Sequence, residues 1–126
     1  VSEKANAMRD EFGKNFESMT IEALDFQNKK ILGEQLGNSD ILVNASPAGM
    51  DGVGTLDIPL DMLNSRAVVY DLVYKPVETT LLKTVTSMGF RASGGLSMLL
   101  YQGAESFEIW TGREAPCEVM RKAQGH

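Results

Sequence analysis

Three short runs concentrate the side chains that could do chemistry. The first is Asn44-Ala45-Ser46, an amide and a hydroxyl around a small residue. The second is Asp71-Leu72-Val73-Tyr74, with a carboxylate and a phenol. The third is Ser93-Gly94-Gly95, whose glycines let a backbone approach a flat ring closely. Gln102 follows Gly95 by two helical turns and so shares a helix face with it. A phenol and a primary amide can each donate and accept hydrogen bonds. No thiol or metal chemistry is expected: Cys117 has no nearby His, and the terminal His126 belongs to no metal-ligand spacing.

Each of these residues also has a plain structural reading. Asn and Ser are common where a strand turns into a loop. A Tyr can simply pack, and a Gln on a helix is usually solvated. Asp71 is read as structural, because a carboxylate inside a buried strand needs partners, here expected to be backbone N–H groups of a neighbouring loop. Phe107 and Trp110 are expected in the core rather than against a cofactor, and the Arg113-Glu114-Ala115-Pro116 run is read as a helix–helix junction.

The elements that must position the three runs follow from periodicity. Val1, Ala5, Met8 and Phe12 form one helical stripe, with Ser2 as N-cap and Gly13 as stop. Phe16 to Leu24 is ambiguous, with a short strand and turn as one reading. Gln27 to Leu36 is helical and ends at Gly37. Asp40 to Ala45 reads as a strand buried on both faces. Ser46 to Pro59 is loop, and Leu60 to Leu63 one helical turn. Ala67 to Leu72 is a second buried strand. Thr79 or Thr80 caps the next helix, and Gly89 ends it. Phe90-Arg91-Ala92 is a third short strand. Gly94-Gly95 opens a long helix that stops at Gly112, and Pro116 starts a last one. Buried strands alternating with amphipathic helices imply an α/β fold with a mainly parallel sheet. Ligands of such sheets bind outside the carboxyl ends of the strands, where all three runs fall.

The length of 126 residues fits one domain, and 43% hydrophobic with 23% charged residues is an ordinary globular composition. A net charge of −5 without a basic stripe argues against a nucleic-acid partner. No apolar run is long enough to cross a bilayer, and no signal peptide is visible, so no membrane partner is expected. The single cysteine points to a reducing, cytoplasmic location. The start at Val1 suggests processing or a piece of something longer.

Four motifs in this order resemble the C-terminal part of shikimate dehydrogenase: Asn44-Ala45-Ser46-Pro47-Ala48-Gly49-Met50, Tyr70 to Thr79, Gly94 to Ala104, and Trp110 to Pro116. The resemblance covers nearly the whole chain, least well over Asn15 to Asn38. It implies a partial Rossmann-like domain over residues 1–126, ending in a helical segment over 96–126. It implies NADP as cofactor and the reversible reduction of 3-dehydroshikimate to shikimate, a step of aromatic amino-acid biosynthesis. By resemblance, Asn44, Ala45 and Ser46 line the cofactor near the adenosine and ribose. Leu72, Gly95 and Met98 meet the nicotinamide, and Tyr74 and Gln102 contact substrate. Ser2 and Lys4 lie just beyond the family's Asn-Arg-Thr motif, which meets the ribose phosphate.

The family's glycine-rich phosphate loop has no counterpart in this chain, nor do its proton-transferring lysine and partner aspartate; Lys75 and Lys83 lie in no such motif. The resemblance therefore implies an upstream catalytic domain, and these residues alone are expected to be inactive. Without the sheet's central strands, apolar edges would be left open. A homodimer is one assembly left open. Two further readings stand beside the main one: a quinate/shikimate dehydrogenase using NAD, and a non-catalytic ligand-sensing module of the same fold.

Overall fold

The computed structural model describes residues 2–16 and 18–124. Val1 and His126, each named above, lie outside them. The chain divides into two compact units, residues 1–40 with 57–65, and residues 41–56 with 66–126.

The first unit is helical. Helix α1 spans Glu3–Asn15, and the Ser2 hydroxyl caps it by accepting from the Ala5 N–H at 3.2 Å. Gly13 does not stop the helix, which runs on to a cap at Phe16. Glycine costs helix only about 1 kcal/mol against alanine, and one such residue does not outweigh the turn around it. Residues 18–24 form neither helix nor strand. Helix α2 spans Lys29–Gly37, capped by the Asn28 side chain on the Ile31 N–H. Leu32 and Leu36 are its buried face. The turn expected at Leu60 is a short 3-10 helix over Leu60–Met62, against which Gly33 packs.

The second unit holds a parallel sheet of three strands in the order β1-β2-β3. β1 is Ile41–Asn44, β2 is Val68–Asp71 and β3 is Arg91–Gly94. The third strand starts and ends later than Phe90-Arg91-Ala92, because Phe90 is still held by its N–H to the Val85 carbonyl. Helix α3, Thr80–Ser87, covers one face of β2 and β3 with Leu81, Leu82 and Val85. Thr79 is its N-cap, and Gly89 follows at a φ of 89° that favours glycine.

β1 is not buried on both faces as expected. Ile41 is 64% and Val43 51% exposed. A strand is covered on both sides only where elements lie on both, and side chains alternate between the faces. Ile41 and Val43 share the face opposite α3 with Val68, Tyr70, Arg91 and Ser93, none of which is buried.

Helix α4, Leu96–Thr111, follows Gly95 and ends at Gly112, whose φ is 65°. Helix α5, Cys117–Ala123, packs on α4, with Pro116 preceding rather than entering its first turn. Trp110 is not in the core: it is 82% exposed, and its neighbour Ile109 77%. The inward side of α4 is made instead by Leu100 and Ala104. Among the described residues no helix is long and apolar enough to cross a membrane.

Candidate functional site

The register of the sheet brings the three runs to one level. Asn44 pairs with Asp71, and Asp71 with Gly94, so all three strands end in the same row. Backbone bonds extend the row one step further. The Leu72 N–H donates to the Asn44 carbonyl at 2.9 Å, and the Gly95 N–H to the Val73 carbonyl at 3.2 Å. Ala45, Leu72 and Gly95 therefore stand side by side at the carboxyl edge, where open α/β sheets take their ligands.

A buried polar cluster sits in this row. Asp71 is fully buried, Asn44 is 2% and Thr79 1% exposed. One Asp71 oxygen accepts from the Asn44 amide at 2.9 Å and the Val73 N–H at 3.1 Å, and the other accepts from the Thr79 hydroxyl. Only one of the three donors is the backbone N–H expected from the sequence. The other two are side chains from β1 and from the start of α3. Asn44 Oδ1 accepts from both the N–H and the hydroxyl of Ser46, and its amide donates to the Ala48 carbonyl at 3.1 Å. The Asn44 side chain is thus committed inward and can offer a ligand only its backbone. Ala45 and Ser46 are exposed beyond it.

Gly95 is needed for a reason different from ring approach alone. Its φ of −73° is open to any residue. A Cβ there, however, would come within 2.1 Å of the Leu72 carbonyl oxygen. The start of α4 is therefore pressed against the end of β2, and only glycine leaves room. Gly94 is less tight: a Cβ there would lie 3.2 Å from Leu82 and 3.3 Å from the Val77 carbonyl oxygen.

Along α4, a turn of 3.6 residues puts Gly95, Met98 and Gln102 within about 60° of one another around the axis. Met98 is 43% exposed and Gln102 is exposed, so this face is accessible. The opposite side of α4 carries Leu96, Ser97, Leu100 and Tyr101 and lines a different hollow of about 300 Å³ with Arg121 and Gln124. Tyr74 is 46% exposed and lines a hollow of about 230 Å³ with Met50, Asp51, Val73 and Lys75. Among the described residues, neither the Tyr74 hydroxyl nor the Gln102 amide has a protein hydrogen-bond partner.

Asn44, Ala45, Ser46, Leu72, Tyr74, Gly95, Met98 and Gln102 all belong to the sheet unit. Ser2 and Lys4 belong to the other one, at the exposed first turn of α1, and the Ser2 hydroxyl is engaged in capping. Of the two candidate caps, Thr79 and Thr80, it is Thr79 that caps α3. A Thr before a helical run does not disclose that its hydroxyl faces two ways, to the Leu82 N–H and to Asp71. No cluster of His, Cys, Asp and Glu among the described residues could hold a metal ion. The row is open to a flat ligand group: Ala45 and Ser46 are small and exposed at one end, and at the other Gly95, with no side chain, lies on Leu72.

Residues 95–123 match the family of the Shikimate 5'-dehydrogenase C-terminal domain. The chain is 39% identical over 123 residues to a shikimate dehydrogenase (NADP(+)) of Methanococcus maripaludis, covering 96% of this chain and 42% of the relative. A crystal structure of shikimate 5-dehydrogenase from Listeria monocytogenes with shikimate and NAD is 34% identical, with a TM-score of 0.77, over 94% of this chain and 42% of that one. A quinate dehydrogenase from Corynebacterium glutamicum with NAD is 27% identical, with a TM-score of 0.80, over 94% and 41%. The chain thus resembles shikimate dehydrogenases along nearly all of its length, has their Rossmann-like fold, and spans about two-fifths of the length of these relatives.

Proposed function

We propose that this chain is the C-terminal, NADP-binding part of a shikimate dehydrogenase, residues 1–126 forming the later portion of a Rossmann-type domain that ends in the helical segment 96–126. The whole protein reversibly converts 3-dehydroshikimate, NADPH and a proton to shikimate and NADP. The level row Asn44–Asp71–Gly94, with Gly95 pressed on Leu72, is the observation that carries this reading. It gives a flat ring a floor that no side chain interrupts.

NADP supplies the hydride chemistry when bound. The chain's own residues supply position. Leu72 and Met98 flank the nicotinamide side of the row and keep water from it. Ala45 and Ser46 lie along the adenosine and ribose side, with Ser2 and Lys4 assigned to the ribose phosphate. The Tyr74 hydroxyl and the Gln102 amide, both without partners among the described residues, hold the hydroxyls or carboxylate of the substrate. The proton is moved by a lysine and an aspartate in the rest of the protein, for which this chain has no matching motif. The single cysteine fits a reducing, cytoplasmic setting.

The test is steady-state turnover by the whole protein with shikimate and NADP, against quinate and NAD in the same assay. A higher kcat/KM for shikimate with NADP is the expected result. Preference for quinate with NAD would move the assignment toward the second reading, which the likeness to the Corynebacterium glutamicum enzyme favours. Binding of both ligands without turnover would leave the sensing module.

A further inference from the structure

We propose that Asp71 is a positioning residue for the hydride transfer, its carboxylate setting the spacing between the adenosine and nicotinamide ends of the cofactor row. This rests on the function proposed above. Three segments meet on the one side chain. Asn44 brings the end of β1, Val73 the segment that leads to Tyr74, and Thr79 the start of α3. Each contact passes on to a residue of the row. Asn44 holds Ser46 through both its N–H and its hydroxyl. Val73 accepts from Gly95, whose backbone is seated on Leu72. Thr79 caps α3 on the Leu82 N–H, and Leu82 lies against Gly94.

All three groups around Asp71 are donors, and every buried polar side-chain atom among the described residues has a partner. Such a cluster is stiff, since each group it holds has one place to go. Removing an acceptor from its middle frees the Ser46 end and the Tyr74 end together. Asp71 touches neither cofactor nor substrate, so its effect is on geometry, where displacements of about 1 Å can cost up to about a hundredfold in rate.

The experiment compares Asp71→Asn, Thr79→Val, Thr79→Ser and Val85→Ala in the whole enzyme, assayed well below every Tm. Val85 is fully buried in the same unit and far from the polar cluster in chemistry, so it reports stability loss alone. Asp71→Asn and Thr79→Val should lower kcat about tenfold or more and raise KM for NADP. Thr79→Ser, which keeps the hydroxyl, should stay within about twofold of wild type, and Val85→Ala should lower Tm with kcat and KM intact. Kinetics of Asp71→Asn indistinguishable from Val85→Ala would overturn the role, as would Thr79→Ser failing like Thr79→Val. Wild-type turnover in the same assay judges the underlying function separately. Amide exchange needs no turnover: in Asp71→Asn it should quicken at both 45–46 and 72–74, and quickening at 72–74 alone overturns the coupling.

Discussion

Two sets of polar side chains in the sheet unit have opposite fates. Asn44, Asp71 and Thr79 are almost wholly buried and hydrogen-bond one another. Tyr74 and Gln102 are exposed, and neither the Tyr74 hydroxyl nor the Gln102 side-chain amide has a protein partner among the described residues. A buried polar group without a partner is costly, whereas an exposed one is solvated until a ligand arrives. The first set therefore determines the shape of the edge, and the second is free to meet a ligand. The division separates substitutions that should damage the fold from those that should damage only turnover.

The sharpest break is Gly95→Ala. The added carbon would meet a backbone carbonyl at 2.1 Å, and neither β2 nor α4 can swing away as a side chain would. Overpacking costs about 1–3 kcal/mol, and a clash with backbone lies at the upper end. Denaturation of the whole protein should show that loss, and an NADPH titration should show affinity falling with it. Wild-type stability in this variant would mean that the end of β2 and the start of α4 are not held together.

Tyr74→Phe probes the other set and should have a smaller, cleaner effect. The hydroxyl has no partner among the described residues, so Tm should not change. A neutral hydrogen bond to substrate is worth about 0.5–1.5 kcal/mol, so kcat/KM for shikimate should fall roughly two- to thirteenfold. A drop in Tm with unchanged kinetics would move Tyr74 from the free set to the structural one.

This contrast also marks what the sequence makes legible. The ends of β1 and β2 are legible to within a residue because apolar runs bounded by turn residues are local signals, and the Ser2 cap and the Thr79 or Thr80 cap because their chemistry lies within a few residues. The partners of Asp71 were not, because Asn44 and Thr79 reach it from segments whose proximity depends on strand register. The need for Gly95 was visible only as a glycine; the carbonyl it must clear belongs to Leu72, across the fold. Burial was hardest to read. Ile41, Val43 and Trp110 are apolar, and apolarity says nothing about whether anything lies on them.

The two ends of α4 extend the comparison. At its start Gly95 is buried and pressed on the sheet, while at its far end Ile109 and Trp110 are 77% and 82% exposed. Substitutions on an exposed surface change stability by about 0.5 kcal/mol or less. Trp110→Ser should therefore leave the denaturation midpoint almost where it was, the smallest effect of the set. Trp110 is also the single tryptophan of these 126 residues, and the difference between wild-type and Trp110→Ser emission isolates its signal. An exposed indole should emit at the long-wavelength, water-like position and be quenched freely by iodide. A blue-shifted, shielded emission, or a loss of more than 1 kcal/mol by the rule just used, would show that the far end of α4 is covered in the whole protein. The contrast between its two ends would then belong to this chain alone.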